Sequence, residues 1–173
     1  MSHRIISITG RSGSGKTTLI ERLIAHYNSI GENVSVLKSM RHDFETDPAG
    51  KDTYRYRESG ARASLITNGK KFSLISEIDS SDENPTALAM RYFNESDIII
   101  IEGFKQGSLK KIEVIGDSVE NPLFMEDAGI KILVTDKSFD TTLPVYKRDD
   151  IHGIVNAIDR FDLLNACDND YNG

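Results

Sequence analysis

The sequence has one cysteine, Cys167, so it forms no internal disulfide and cannot alone build a zinc site. It has no excess of positive charge either. A net charge of −6 argues against a general nucleic-acid binder, which usually shows a basic face. No apolar run approaches the roughly 20 residues of a membrane span. The histidines His3, His26, His42 and His152 are scattered, and no two stand at the spacing of a paired-histidine metal site. Internal repeats and long low-complexity segments are also absent. The opening stretch MSHRIISITG runs straight into a glycine-rich loop. The expectation from it is no signal peptide and a cytoplasmic protein.

What is present is 173 residues of ordinary composition, 38% hydrophobic and 28% charged, which suits one domain with a sizeable core. Arg4 to Thr9 is a short β-branched run that reads as a buried strand. From Thr17 to Ile30, Ile20, Leu23, Ile24 and Tyr27 stand at helical spacing, and Gly31 is a plausible helix stop. Val34 to Lys38 reads as the second strand. Strand, glycine loop, helix, strand is a crossover unit of the kind parallel pairing needs.

The middle of the chain is different. Arg41 to Gly60 is polar, with turn chemistry at Asp47-Pro48-Ala49-Gly50. Asn68-Gly69 lies between the runs ASLIT and KKFSLISEI, which predicts an antiparallel hairpin. Asn84-Pro85 predicts a helix start, with the helix running to about Asn94. Ile98 to Ile101, closed by Glu102-Gly103, is the most clearly buried strand. Further strands are expected at Lys111 to Ile115 and Ile130 to Thr135, with an edge strand at Leu143 to Tyr146. A last helix begins near Asp149 or Asp150 and carries Ile151, Ile154, Val155, Ile158 and Phe161 on one stripe. The expected fold class is α/β: a three-layer α/β/α phosphate-loop (P-loop) NTPase domain over residues 1–173. Its sheet is mainly parallel, with a loop and antiparallel hairpin inserted at about 40–80.

Gly10-Arg11-Ser12-Gly13-Ser14-Gly15-Lys16-Thr17 fits G-x-x-x-x-G-K-[ST] at every fixed position. Glycines permit backbone angles that turn successive N–H groups inward on phosphate oxygens. Lys16 adds a point charge for the β- and γ-phosphates, and the Thr17 hydroxyl is suited to Mg²⁺. The helix that begins here presents its positive end to the anion. Glu102, closing the isoleucine strand, stands where such enzymes place the acidic residue that holds Mg²⁺ directly or through water.

The stretch Lys38 to Asp52 follows the second strand and should lie at the carboxyl ends of the sheet. In it Asp43 is a candidate for the metal or an attacking water, and Lys38 or Arg41 for a phosphate; a solvated charged loop is the alternative. Tyr54-Arg55-Tyr56-Arg57 interleaves aromatics and cations, and a plain helix surface explains it better than base stacking does. Thr135-Asp136-Lys137 ends the strand KILVT, where P-loop proteins often read the purine. A carboxylate there accepts two N–H donors from guanine, which adenine cannot supply. The guanine signature N-K-x-D is absent, so this stretch alone does not establish the base.

The chain resembles the molybdopterin-guanine dinucleotide biosynthesis protein B (MobB) family. The resemblance rests on GRSGSGKTTLIERLI, VSVLKSMRHDFETDPAGKDTYRYRESGA, the Asn-Gly hairpin, IIIIEGFKQGSLKKIEVI, ILVTD and LPVYKRDDI, which follow one another in the family's order. It implies a GTP-binding adaptor, homodimeric through its hairpin region, that binds GTP with Mg²⁺ and hydrolyses it slowly. Such an adaptor assists the guanylyltransferase that converts molybdopterin to its guanine dinucleotide, with molybdopterin itself a further candidate ligand and no nucleic acid or membrane partner. It places nucleotide binding on Gly10, Arg11, Ser12, Gly13, Ser14, Gly15, Lys16, Thr17 and Thr18, and Mg²⁺ on Thr17 and Glu102. Asp136 joins as the candidate base reader, and Lys16, Glu102 and Asp43 as the catalytic candidates. The family's histidine-rich stretch after the strand-end lysine is reduced here to His42. A small-molecule kinase, with Arg55, Arg57 and Arg62 as a lid, and a metallochaperone GTPase are the competing readings.

Overall fold

The computed structural model describes residues 4–40, 42–78, 84–104 and 109–160. Arg41, Cys167 and Phe161 lie outside them. The chain divides into two compact units, residues 1–40 with 85–173, and residues 41–84.

The first unit is built on a six-stranded sheet. Its strands are β1 (Arg4–Thr9), β2 (Val34–Lys38), β3 (Ile98–Glu102), β4 (Lys111–Val114), β5 (Ile130–Val134) and β6 (Val145–Tyr146). The spatial order is β2-β3-β1-β4-β5-β6, and every neighbouring pair is parallel. The isoleucine run is buried on both faces because the pleat sends alternate residues to opposite sides. Ile98 and Ile100 pack in one apolar cluster with Leu19, Leu23 and Ile154. Ile99 and Ile101 pack in another with Ala89 and Phe104. Helices α1 (Lys16–Ser29) and α2 (Ile151–Arg160) thus share one face, and α3 (Pro85–Tyr92) covers the other. This is the expected three-layer arrangement.

Helix α1 ends as the sequence suggests. Gly31 is left-handed at φ 84, its N–H donates to the Asn28 carbonyl, and the Glu32 N–H donates to that of Tyr27, the paired bonds of a Schellman stop. The crossover between β4 and β5 contains only a 3₁₀ turn, Leu123–Met125.

The second unit holds a short helix, α4 (Asp52–Glu58), and a hairpin of β7 (Ala63–Thr67) with β8 (Phe72–Ser76). Pairing stops at Thr67 and Phe72, so the connection has four residues rather than the Asn-Gly pair alone. Gly69 is left-handed at φ 79. Asn68 stands beside it, and its side-chain oxygen accepts the N–H groups of Lys70 and Lys71.

Candidate functional site

Strand β1 ends at Thr9, and the chain then curls through residues 10–15 into α1. Gly10, Gly13 and Gly15 all have positive φ, which a side chain would strain. At Gly10 an added Cβ would also meet the Val114 carbonyl oxygen and come within 2.7 Å of Ser14 Oγ. Lys16 folds back over the curl: its Nζ donates to the carbonyls of Gly10 at 3.2 Å and Arg11 at 2.9 Å. The Ser14 and Thr9 hydroxyls are buried with no hydrogen-bond partner among the described residues. Ser12, Thr17 and Thr18 are exposed. A curl of N–H groups, one ammonium and a helix N-terminus together form an environment suited to an oxyanion.

Glu102 ends β3, beside β1, in register with Ile8 on one side and Lys38 on the other. Its carboxylate is 12% exposed and lies 3.8 Å from Lys38 Nζ, which is itself 60% exposed. Gly103 turns the chain away at φ 85, with no room for a Cβ against the Ser39 carbonyl. The strand-end carboxylate, the strand-end lysine and the phosphate loop therefore all stand at the carboxyl ends of adjacent parallel strands.

A cleft of about 360 Å³ opens beside the loop, lined by Gly15, Thr18, Leu19, Arg22, Asp136 and Arg148 among others. Asp136 stands just past β5 and meets the cleft as its sequence position suggests. Arg148 was not singled out in the sequence, yet it dominates this wall. Its Nε donates to Asp136 Oδ2 at 2.5 Å and its backbone N–H to Oδ1 at 3.3 Å. Its Nη2 reaches both oxygens of Asp117, at 2.9 and 3.0 Å. The guanidinium holds the Asp136 carboxyl below its usual pKa. Lys137 donates to the carbonyls of Asp117 and Val119, and Arg11 donates to that of Asn121. The segment from Asp117 to Asn121 is thereby tied to the end of β5 and to the phosphate loop, where it borders a second cleft with Arg11 and Ser12.

Asp43 belongs to the second unit and is exposed there. In the same unit Arg57 is mostly buried, paired with Glu45 at 2.9 Å and with Asp47 and Glu77 at 3.6 Å. Buried Asp47 accepts from the Thr53 hydroxyl. These side chains are engaged with one another, although Asp47 Oδ2 and Arg57 Nε have no hydrogen-bond partner among the described residues. His26 and His152, distant in sequence, meet edge to face at 5.5 Å on α1 and α2. Among the described residues no group of three potential ligands gathers into a metal site, and no helix is long and apolar enough to cross a membrane.

A parallel sheet with the glycine loop after its first strand and the acidic strand end beside it defines the P-loop NTPase fold. Residues 5–136 match the family described as molybdopterin guanine dinucleotide synthesis protein B, MobB. The chain belongs to that family. It is similar to the molybdopterin-guanine dinucleotide biosynthesis adapter protein of Haemophilus influenzae, 32% identical over 69% of this chain and 67% of the relative. It is also similar to the protein of the same description from Escherichia coli, 30% identical over 65% of this chain and 66% of the relative. A solved structure of molybdopterin-guanine biosynthesis protein B superposes with a TM-score of 0.71 at 28% identity, covering 89% of this chain and 97% of the other.

Proposed function

We propose that this chain is an adapter of molybdopterin-guanine dinucleotide biosynthesis that binds GTP with Mg²⁺, hydrolyses it slowly, and assists the guanylyltransferase that completes the cofactor. The adapter role is carried from relatives so described. The observation that carries the nucleotide is one cleft lined both by the phosphate loop, at Gly15 and Thr18, and by Asp136. It gives a triphosphate and a base neighbouring walls.

The residues fit the ligand. The glycine cradle at Gly10 and the buried, unpartnered Ser14 hydroxyl suit phosphate oxygens, and Lys16 supplies the charge. Thr17 and Glu102 would hold Mg²⁺, which neutralises charge on the β- and γ-oxygens. Asp136, kept ionised by Arg148, suits a base edge with two donors. Hydrolysis is slow on this reading because, among the described residues, no arginine near the loop is set up as a transition-state finger: Arg11 and Arg22 donate to backbone carbonyls and Arg148 is held by two aspartates.

The chain acts as a homodimer through the hairpin in this proposal. Leu65 and Leu74 are cross-strand partners with Phe72 on the same face, and all three are exposed. A two-stranded hairpin with a bare apolar face is marginal alone. Titration of GTP and ATP in the presence of Mg²⁺ tests the nucleotide, and equal affinities would reject guanine. Capture of a molybdopterin guanylyltransferase by the GTP-loaded chain tests the partner.

A further inference from the structure

We propose that Arg148, anchored by Arg22, is the positioning residue that gives the cleft its preference for guanine; this rests on the GTP reading above. Asp136 has no packing that fixes its carboxylate: it is exposed at the end of β5. What orients it is Arg148, through its backbone N–H on Oδ1 and its Nε on Oδ2. An ionised carboxylate offers about four lone-pair sites. Arg148 fills one on each oxygen and leaves one on each. Two neighbouring acceptors in a fixed plane match the N1–H and N2–H donors of guanine. Adenine turns an acceptor to the same place and is repelled.

Arg148 is in turn fixed from two sides. Its Nη2 grips both oxygens of Asp117. Its backbone is held from α1, where Arg22 Nη1 donates to the Arg148 carbonyl at 2.8 Å and Nη2 to the Asp149 carbonyl at 3.4 Å. Helix α1 is the helix that starts at the phosphate loop. One rigid element therefore sets both ends of the ligand: its first turn meets the phosphates, and Arg22, one and a half turns further on, sets the base reader. Arg148 lies beyond residues 5–136, the stretch matched by the family model, whereas Asp117 and Asp136, which it holds, lie within that stretch.

The test compares GTP, inosine triphosphate and ATP, each with Mg²⁺, on the wild-type chain and on Arg148→Met, with inorganic tripolyphosphate as the phosphate-only probe. Inosine lacks the 2-amino group, so it reports the second donor alone. The expected result is a fall of about tenfold in the GTP:ATP affinity ratio of the variant, the scale of one hydrogen bond to a charged group. The GTP:inosine ratio should fall too, with tripolyphosphate affinity unchanged and no loss of ATP affinity. Arg22→Met should lower the same ratios less. A full GTP preference in Arg148→Met overturns the proposal while leaving GTP binding standing. No preference in the wild-type chain rejects the guanine reading itself and this inference with it. Should Arg148→Met melt at a much lower temperature, Arg148→Lys is used instead. It keeps the charge and the backbone N–H but loses the planar fork, and it should recover only part of the preference; full recovery would overturn the role of the fork.

Discussion

Lys38 and Glu102 are Cα partners at the carboxyl ends of two parallel strands, and their charged groups stand 3.8 Å apart. The pair is unequal, because the carboxylate is largely buried and the ammonium is in solvent. Screening leaves such a pair worth less than about 1 kcal/mol to the fold, so Glu102→Gln should barely change stability. Its expected effect is on the proposed metal. Mg²⁺-dependent GTP turnover should fall by more than about tenfold, while GTP affinity changes less than about threefold. Steady-state turnover beside an equilibrium titration checks this, and unchanged turnover removes Glu102 from the mechanism.

The phosphate loop predicts a graded response to added methyl groups. Gly10 has φ 146 and a Cβ there would press on the Val114 carbonyl, a backbone atom that cannot swing away. Gly13 has φ 73 but open space around it. Gly13→Ala should therefore cost only the left-handed strain, about 1–2 kcal/mol, and Gly10→Ala clearly more. Urea denaturation of both variants gives the order. Equal costs would mean that the loop relaxes away from β4.

How much of this was legible beforehand follows from which interactions are local. The isoleucine strand, the glycine loop and the Gly31 stop each announce themselves within a few residues, and each stands where the sequence puts it. The place of Asp136 on the cleft was readable because strand ends are positions that topology exposes. Arg148, twelve residues on, was not, because nothing near it in sequence marks an arginine that will clamp Asp136 and Asp117. The strand KIEV alternates charged and apolar residues, yet Lys111 and Glu113 are both buried. Their partners, Asp127 for Lys111 and the Leu123 and Phe124 N–H groups for Glu113, come from the following crossover.

Glu113 gives a stability prediction with a pH signature. Its two oxygens accept from Leu123 at 2.6 Å and Phe124 at 2.8 Å. Gln has one acceptor and would turn its NH₂ on the other donor, so Glu113→Gln should cost about 1–3 kcal/mol. Burial pushes the Glu113 carboxyl above its usual pKa. The folded state then binds the proton more tightly than the unfolded chain. The stability from this group is fully present below the ordinary glutamate value and is lost as pH rises through the folded value. The margin of the wild-type chain over Glu113→Gln should therefore shrink as pH rises above about 4.3. Urea titrations from acid to neutral pH measure it, and a margin that widens contradicts the burial.

The hairpin predicts an assembly effect without a folding effect in the first unit. Phe72 is 68% exposed, and Leu65 and Leu74 face the same way. If this face pairs with a second copy, Leu65→Lys with Phe72→Lys should give a monomer by sedimentation. Tripolyphosphate affinity should stay within about twofold, as expected for sites with no shared partners. A dimer that survives both charges places the interface elsewhere.

The proposed base-reading role of Asp136 can be tested by inverting its chemistry. Asp136 offers only acceptors, so it suits the 2-amino group of guanine; xanthine carries a carbonyl oxygen there instead. Asp136→Asn presents an NH₂ donor in place of one carboxylate oxygen. The variant should lose affinity for GTP and gain it for xanthosine triphosphate. The exchange should reach about 10²-fold or more in the ratio, since a polar site rejects a ligand that leaves its groups unpaired. The Asn side chain can still accept the Arg148 backbone N–H on its carbonyl oxygen. Its NH₂ then faces Arg148 Nε, so the guanidinium must turn toward Asp117, which already accepts Nη2 with both oxygens. Asp136→Asn with Asp117 intact should therefore fold normally and switch base. Equal loss of both nucleotides would mean that Asp136 shapes the cleft through Arg148 and does not touch the base.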